Sequence, residues 1–169
     1  MKIIDVKETL GEIEWNKVSG NIDGAMIRAG IGRRRDDRFE ENVKRCSAQN
    51  IPFGAYWLSI ATTAEEAAEE ARKLLKATEG LQLRYPLAIQ YDTYSIRSAE
   101  ERDIPVTAAD ASEVVRTFCK TVTEAGKPAI YATTLRIQID YLRGIWPPSA
   151  WPWSSTMLSS KRSSRWEWS

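Results

Sequence analysis

The sequence predicts an α/β fold: an irregular TIM-like β/α barrel of five β/α units, closed by a shortened or incomplete C-terminal strand segment. Two observations carry this. Short β-rich runs alternate with helical patterns as far as residue 142, the signature of β/α units wound around a parallel sheet. At 169 residues, with 43% hydrophobic and 28% charged side chains, the chain also has the size and composition of one domain able to bury its own core.

The elements follow in order. A first strand is expected at 3–6, Ile3-Ile4-Asp5-Val6, then one helical turn at Glu14-Trp15-Asn16-Lys17-Val18 and a second strand at 25–29. A helix over 37–49 follows, because Phe39, Val43 and Cys46 fall on one stripe, and Pro52 marks its end. The third strand is read at 53–59. The next helix is the clearest: Thr63 and Glu66 form a capping box, and Ala64, Ala67, Ala68, Ala71, Leu74 and Leu75 recur at helical intervals. Glu65, Glu69, Glu70, Arg72 and Lys73 are read as its solvated face. A fourth strand is expected at 87–92. A helix over 108–125 starts near Thr107 with Asp110 three residues on, buries Ala111, Val114, Val115, Phe118 and Val122, and stops at Gly126. A strand at 129–132 and a helix over 134–142 complete the fifth unit.

A closed barrel needs about eight strands, so the rest must come from the tail. Residues 145–169 are poor strand material: Trp146-Pro147-Pro148 and Trp151-Pro152-Trp153 precede a Ser/Lys/Arg-rich run, and proline cannot donate to a ladder. Five of the seven tryptophans crowd here, where they either line a sugar site or pack in an irregular cover. The division expected is a barrel core at 1–144 and an irregular Trp/Pro/Ser-rich tail at 145–169 that completes or covers it.

Composition excludes several function classes. Twenty-four basic and twenty-three acidic residues leave a formal charge of +1, which offers no broad cationic surface for nucleic acid. Arg33, Arg34 and Arg35 are followed at once by Asp36 and Asp37, so that cluster reads as a compensated, solvated loop. Cys46 and Cys119 lack a metal or disulfide spacing and are expected to be reduced and packed. With no histidine, any acid–base chemistry falls to carboxylates, tyrosines and lysines. Met1 leads directly into the first strand without a secretory or membrane-spanning stretch. Such a start is expected of a phage enzyme released by host lysis, or of a chain trimmed of its leader.

Several ordered motifs carry a family resemblance. Ile4-Asp5-Val6, Ile13-Glu14-Trp15-Asn16-Lys17-Val18, Ile27-Arg28-Ala29-Gly30-Ile31-Gly32 and Ile51-Pro52-Phe53-Gly54-Ala55-Tyr56-Trp57 come first. Asp37, Phe39 and Asn42, the alanine- and glutamate-rich helix, Tyr85-Pro86-Leu87-Ala88 with Asp92, Ala125-Gly126 and Ile130-Tyr131-Ala132 continue the series. Together, over about four fifths of the chain, they resemble the lysozymes of glycoside hydrolase family 25 in order and spacing. The resemblance implies an incomplete β/α barrel of five units followed by three strands. It implies cleavage of peptidoglycan glycan strands between N-acetylmuramic acid and N-acetylglucosamine, at the cell wall or outside the cell, by a monomer without metal or organic cofactor.

Glycoside hydrolysis uses one carboxylic acid to protonate the leaving oxygen and normally a second group to stabilise or capture the oxocarbenium centre. The family places an Asp-x-Glu pair at the end of its fourth strand; residues i and i+2 of a strand share a face, with Cα atoms about 6.6 Å apart. Set against Gln90-Tyr91-Asp92-Thr93-Tyr94, the resemblance puts Asp92 on the family's aspartate and Tyr94 in place of its general-acid glutamate. A phenol with a solution pKa of about 10 matches that task poorly, and losing general-acid help costs a factor of roughly 10² to 10⁴. Asp5 falls on the family's first-strand acid. Tyr56 and Tyr131 match its aromatic sugar platforms, and Trp153 belongs to an altered remnant, Trp151-Pro152-Trp153-Ser154-Ser155, with Ser149 where a further acid is expected. Arg28 requires a carboxylate partner inside the barrel, with Asp5 or Asp92 as candidates. Glu100, Glu101 and Asp103 are expected in a loop, as solvated acids or a substitute proton donor. The alternatives to a muramidase, active or weakened, are a non-catalytic glycan-binding relative and a vestigial homologue. A phosphate-binding barrel lacks support, since no glycine-rich loop follows the late strands.

Overall fold

A computed structural model of the protein describes residues 2–142, 157–159 and 165–168. β1 (Ile3–Val6), α1 (Trp15–Val18), β2 (Gly24–Ile31), a short β3 (Arg34–Arg35), α2 (Phe39–Ala48), β4 (Phe53–Leu58) and α3 (Ala64–Ala77) make up the first half. β5 (Leu87–Gln90), α4 (Thr93–Glu100), α5 (Ala108–Glu124), β6 (Ala129–Thr133), α6 (Leu135–Asp140), β7 (Met157–Ser159) and β8 (Arg165–Trp168) follow. β1, β2, β4, β5, β6 and β7 pair in parallel in that order. β8 pairs antiparallel with both β7 and β1, so the pairings run round from β2 to β1, which pairs β2 again. The expected parallel α/β architecture is present.

Alternation along the strands sorts the apolar side chains into two layers. Met26, Tyr56, Leu58, Ala88, Ile130 and Ala132 pack with Ile3 on the inner face. Ile27, Ala55, Trp57, Leu87 and Ile89 face the helices, where Phe39, Leu74, Val114 and Phe118 meet them. α3 is held at its start as expected, Thr63 accepting the Glu66 N–H at 3.2 Å. α5 carries the reciprocal Thr107–Asp110 capping box and gives way to Gly126 at φ +76°. β2 reads through to β4 with a shift of register between Arg28 and Gly30. A side chain at Gly30 would run into the Trp57 ring, so this close approach needs glycine.

Four expectations are corrected. The fourth predicted strand stops at Gln90, not residue 92, because Asp92 turns the chain into α4 as its N-cap. Glu100, expected in the loop after this strand, is therefore the last residue of α4, while Glu101 and Asp103 lie in the turn beyond it; the signal was the Asp92/Ser95 box, which lacks the usual Glu or Gln. Glu70, assigned to the solvated face of α3, is only 4% exposed. The Arg33–Asp37 run is not wholly solvated either: its arginines are exposed, but Asp36 is buried. Within the tail expected to complete or cover the barrel, β7 and β8 are strands. Trp146 to Ser155, including Ser149 and Trp153, lies outside the described residues.

Both cysteines are free and buried, and burial pushes each thiol up to about 12, which leaves them as inert packing groups. Among the described residues no helix is long and apolar enough to cross a membrane.

Candidate active site

The C-terminal ends of parallel barrel strands and the loops beyond them are where such folds assemble polar sites. Asp5, one residue from the end of β1, is 7% exposed. Its carboxylate accepts the Tyr56 hydroxyl from β4 at 2.6 Å and the Lys7 ammonium at 2.9 Å. Burial, reinforced by the Asp5 charge, drives the Tyr56 phenol well above its ordinary range, so it stays a proton-bearing donor to Asp5. Two residues predicted separately, an acid and an aromatic, thus form one unit across β1, β2 and β4.

Arg28 is 6% exposed and does require carboxylates, but its partners are not Asp5 or Asp92. Its Nε donates to Asp36 at 2.8 Å and its Nη2 lies 3.3 Å from Glu8. The β3 hairpin folds Asp36 back over the end of β2, where it also accepts the Glu8 N–H at 3.1 Å. Glu8 in turn takes the Arg34 guanidinium and the Asp37 N–H. The Arg34 hydrogen bond, outweighing desolvation, holds the Glu8 carboxyl down at about 2. Neither Glu8 nor Asp36 was singled out from the sequence. Alternating charges in a presumed loop gave no indication that one of them turns inward.

At the end of β5 the polar pair is Gln90 and Asp92. The Gln90 amide donates to Asp92 Oδ2 at 2.6 Å, and Asp92 Oδ1 accepts the Tyr94 N–H at 2.8 Å. Tyr94 does not share a strand face with Asp92: it sits in the first turn of α4 and is 49% exposed. The side chain that meets Asp92 here is that of Gln90, two residues earlier, and not that of Tyr94. Tyr131 is likewise not an exposed platform, being 5% exposed within the helix-side core of β6. Trp153 lies outside the described residues.

Beside β5, the Ser59–Ala61 segment after β4 leans on Glu70 of α3. Glu70 Oε1 accepts the Ile60 N–H at 3.2 Å, while Oε2 is buried with no partner. Burial is the main reason its carboxyl is pushed up to about 7, against the lowering effect of the Ser59 hydroxyl and the Ile60 N–H. The sequence held a signal for this: positions 67, 70, 71 and 74 share the stripe that packs inward. Among the described residues no group of three or more acids or cysteines could hold a metal ion.

A family model described as "Glycosyl hydrolases family 25" matches residues 4–143. No curated protein matches the chain. The modular autolysin LytC from Streptococcus pneumoniae, also solved with a synthetic peptidoglycan ligand, aligns at 21% identity and a TM-score of 0.73. That alignment covers 83% of this chain and 34% of LytC, so the chain spans about a third of LytC's length. A family 25 glycosyl hydrolase from Bacillus anthracis aligns at 21% identity and a TM-score of 0.75, covering 95% of this chain and 70% of that one. The spore cortex lytic enzyme SleM of Clostridium perfringens aligns at 18% identity and a TM-score of 0.70, covering 82% and 45%.

Proposed function

The chain belongs to glycosyl hydrolases family 25, and on that premise we propose that it is a peptidoglycan hydrolase of the lysozyme class. It acts at the bacterial cell wall, on the glycan bond between N-acetylmuramic acid and N-acetylglucosamine. The family's hydrolytic pair is two acids at i and i+2 at the end of one strand, and the observation that carries this reading is that Gln90, the last residue of β5, and Asp92, the helix cap two residues on, meet side chain to side chain at 2.6 Å. Asp92 then takes the second position, the one that gives a proton to the leaving glycosidic oxygen. Gln90 takes the first, where a neutral amide replaces a carboxylate. Tyr94, solvent-facing beside Asp92, is left as a surface for a sugar ring to stack on.

Asp5 contributes the negative charge. Held from two sides by Tyr56 and Lys7, it is oriented before substrate arrives, so no side-chain ordering is needed during the reaction. With an amide at 90, charge stabilisation of the oxocarbenium centre rests on fewer oxygens, and the enzyme is slow for its class.

Clearing of purified bacterial walls by the parent and by Asp92→Asn tests the reading. Clearing by the parent, lowered by roughly 10² or more in the variant, supports it. One observation favours a second reading, a glycan-binding relative without turnover: only one carboxylate stands at the 90/92 pair. No clearing by the parent together with saturable binding of soluble glycan fragments selects that reading. Neither clearing nor binding leaves a vestigial homologue.

A further inference from the structure

Three loops at the C-terminal end of the sheet interlock, and one buried acid sits where they meet. Ser59, just past β4, donates its N–H to the Gln90 carbonyl at 2.9 Å, and its hydroxyl oxygen accepts the Ala61 N–H at 3.2 Å. The Ile60 carbonyl accepts Arg102 Nη2 at 2.8 Å, from the turn after α4. The Ile60 side chain lies against Gly32, whose φ of +54° and lack of a Cβ allow that contact. Glu70 holds this segment from behind through the Ile60 N–H and the Ser59 hydroxyl.

We propose that Glu70 is a proton-sensitive positioning residue: its carboxyl bolts the Ser59–Ala61 segment against the end of β5 that bears Gln90 and Asp92, and ionisation withdraws the bolt. A neutral carboxyl can lie buried with Oε2 unpartnered at modest cost; a carboxylate there cannot, and must recruit water or a cation. Both are within reach. A cavity of about 40 Å³ beside Glu70, ample for a water, is lined by Arg33 from the β2–β3 turn, Arg102, Glu66 and Lys73.

The other groups facing it are Glu69 on its own helix and Tyr91 beyond β5; Tyr91 also feels Asp110 at the start of α5. Filling the cavity displaces Ile60, and Ile60 is what links Gly32, Arg102 and, through Ser59, Gln90. The proton leaves to solvent, and no other chemistry is involved. The carboxyl pushed up from the ordinary 4.5 to about 7 places the transition near neutrality. Folded-state protonation is favoured, so the stability it confers is full below about 4.5 and lost as pH rises through about 7.

The activity arm of the test rests on the hydrolase reading; the thermal arm does not. Tm of the full chain is followed from about pH 5 to about pH 8 for the parent, Glu70→Gln and the control Glu66→Gln. Glutamine keeps an acceptor for Ile60 but cannot ionise. The expected result is a Tm that falls by several degrees across that range in the parent and in Glu66→Gln, and stays flat in Glu70→Gln. In the wall-clearing assay the parent loses rate on the alkaline side, and Glu70→Gln shifts that limb upward or removes it. An unchanged Tm slope in Glu70→Gln overturns the proposal. If no form clears walls, the hydrolase reading fails while the thermal arm still decides. Should Glu70→Gln not fold, the parent itself supplies the answer: an infrared band of a buried protonated carboxyl that disappears near pH 7 supports the bolt. Absence of that band at about pH 5 overturns it.

Discussion

On the β1–β2 side of the site every buried charge has its counterpart: Arg28 lies between Asp36 and Glu8, and Asp5 between Tyr56 and Lys7. On the β4–β5 side, Glu70 keeps one oxygen without a donor and Gln90 presents a neutral amide to Asp92. The contrast separates two uses of buried polarity. The first side is a fixed frame of paired charges. The second is held together by a proton and by neutral hydrogen bonds, so it responds to conditions in which the frame does not change.

The largest effect expected is from breaking the frame. Arg28→Ala leaves Asp36 as an uncompensated buried carboxylate and should cost about 3–5 kcal/mol, read as a lower denaturant midpoint. A loss under about 1 kcal/mol would mean that water replaces the guanidinium and that the two sides differ less than their contacts suggest. Next is Tyr56→Phe, which removes the hydroxyl from Asp5 while keeping the ring; a hydrogen bond to a charged group of about 1.5–3 kcal/mol corresponds to roughly 10- to 100-fold in wall-clearing rate.

The pH dependence sharpens the comparison by sign. Glu8, held down at about 2, contributes stability that is full above its ordinary 4.5 and lost as pH falls toward about 2. Glu70 contributes in the opposite sense, losing its share as pH rises through about 7. Glu8→Gln should therefore flatten the acid limb of the Tm profile alone. A change on the alkaline limb would show that the two regions are coupled. The smallest effect is expected from Thr63→Ala, which removes the N-cap of α3 and should lower stability by about 1 kcal/mol without moving either limb.

Much of this architecture could be read from the chain. The apolar stripe of α3, the Thr107–Asp110 box and the β-rich runs each followed from local periodicity, which the tertiary fold did not override. What escaped was decided by tertiary contact. Asp36 lies in a charge run whose pattern is that of a solvated loop, and only the β3 hairpin turns it onto Arg28. Glu70 lies on the inward stripe of its helix, yet its charge argued for solvent. The register of the polar pair depended on where β5 ends. Reading the strand on to residue 92 put Tyr94 on a shared face, and the Asp92 cap ends that face at Gln90.

The most direct test of the account compares the wall-clearing rates of Gln90→Asp and Tyr94→Glu, each on the otherwise unaltered chain. With the hydrolytic pair at 90 and 92, a carboxylate at 90 raises the rate by roughly tenfold or more, while one at 94 changes it little. A gain from Tyr94→Glu and none from Gln90→Asp would contradict the account and move the proton donor's position onto α4.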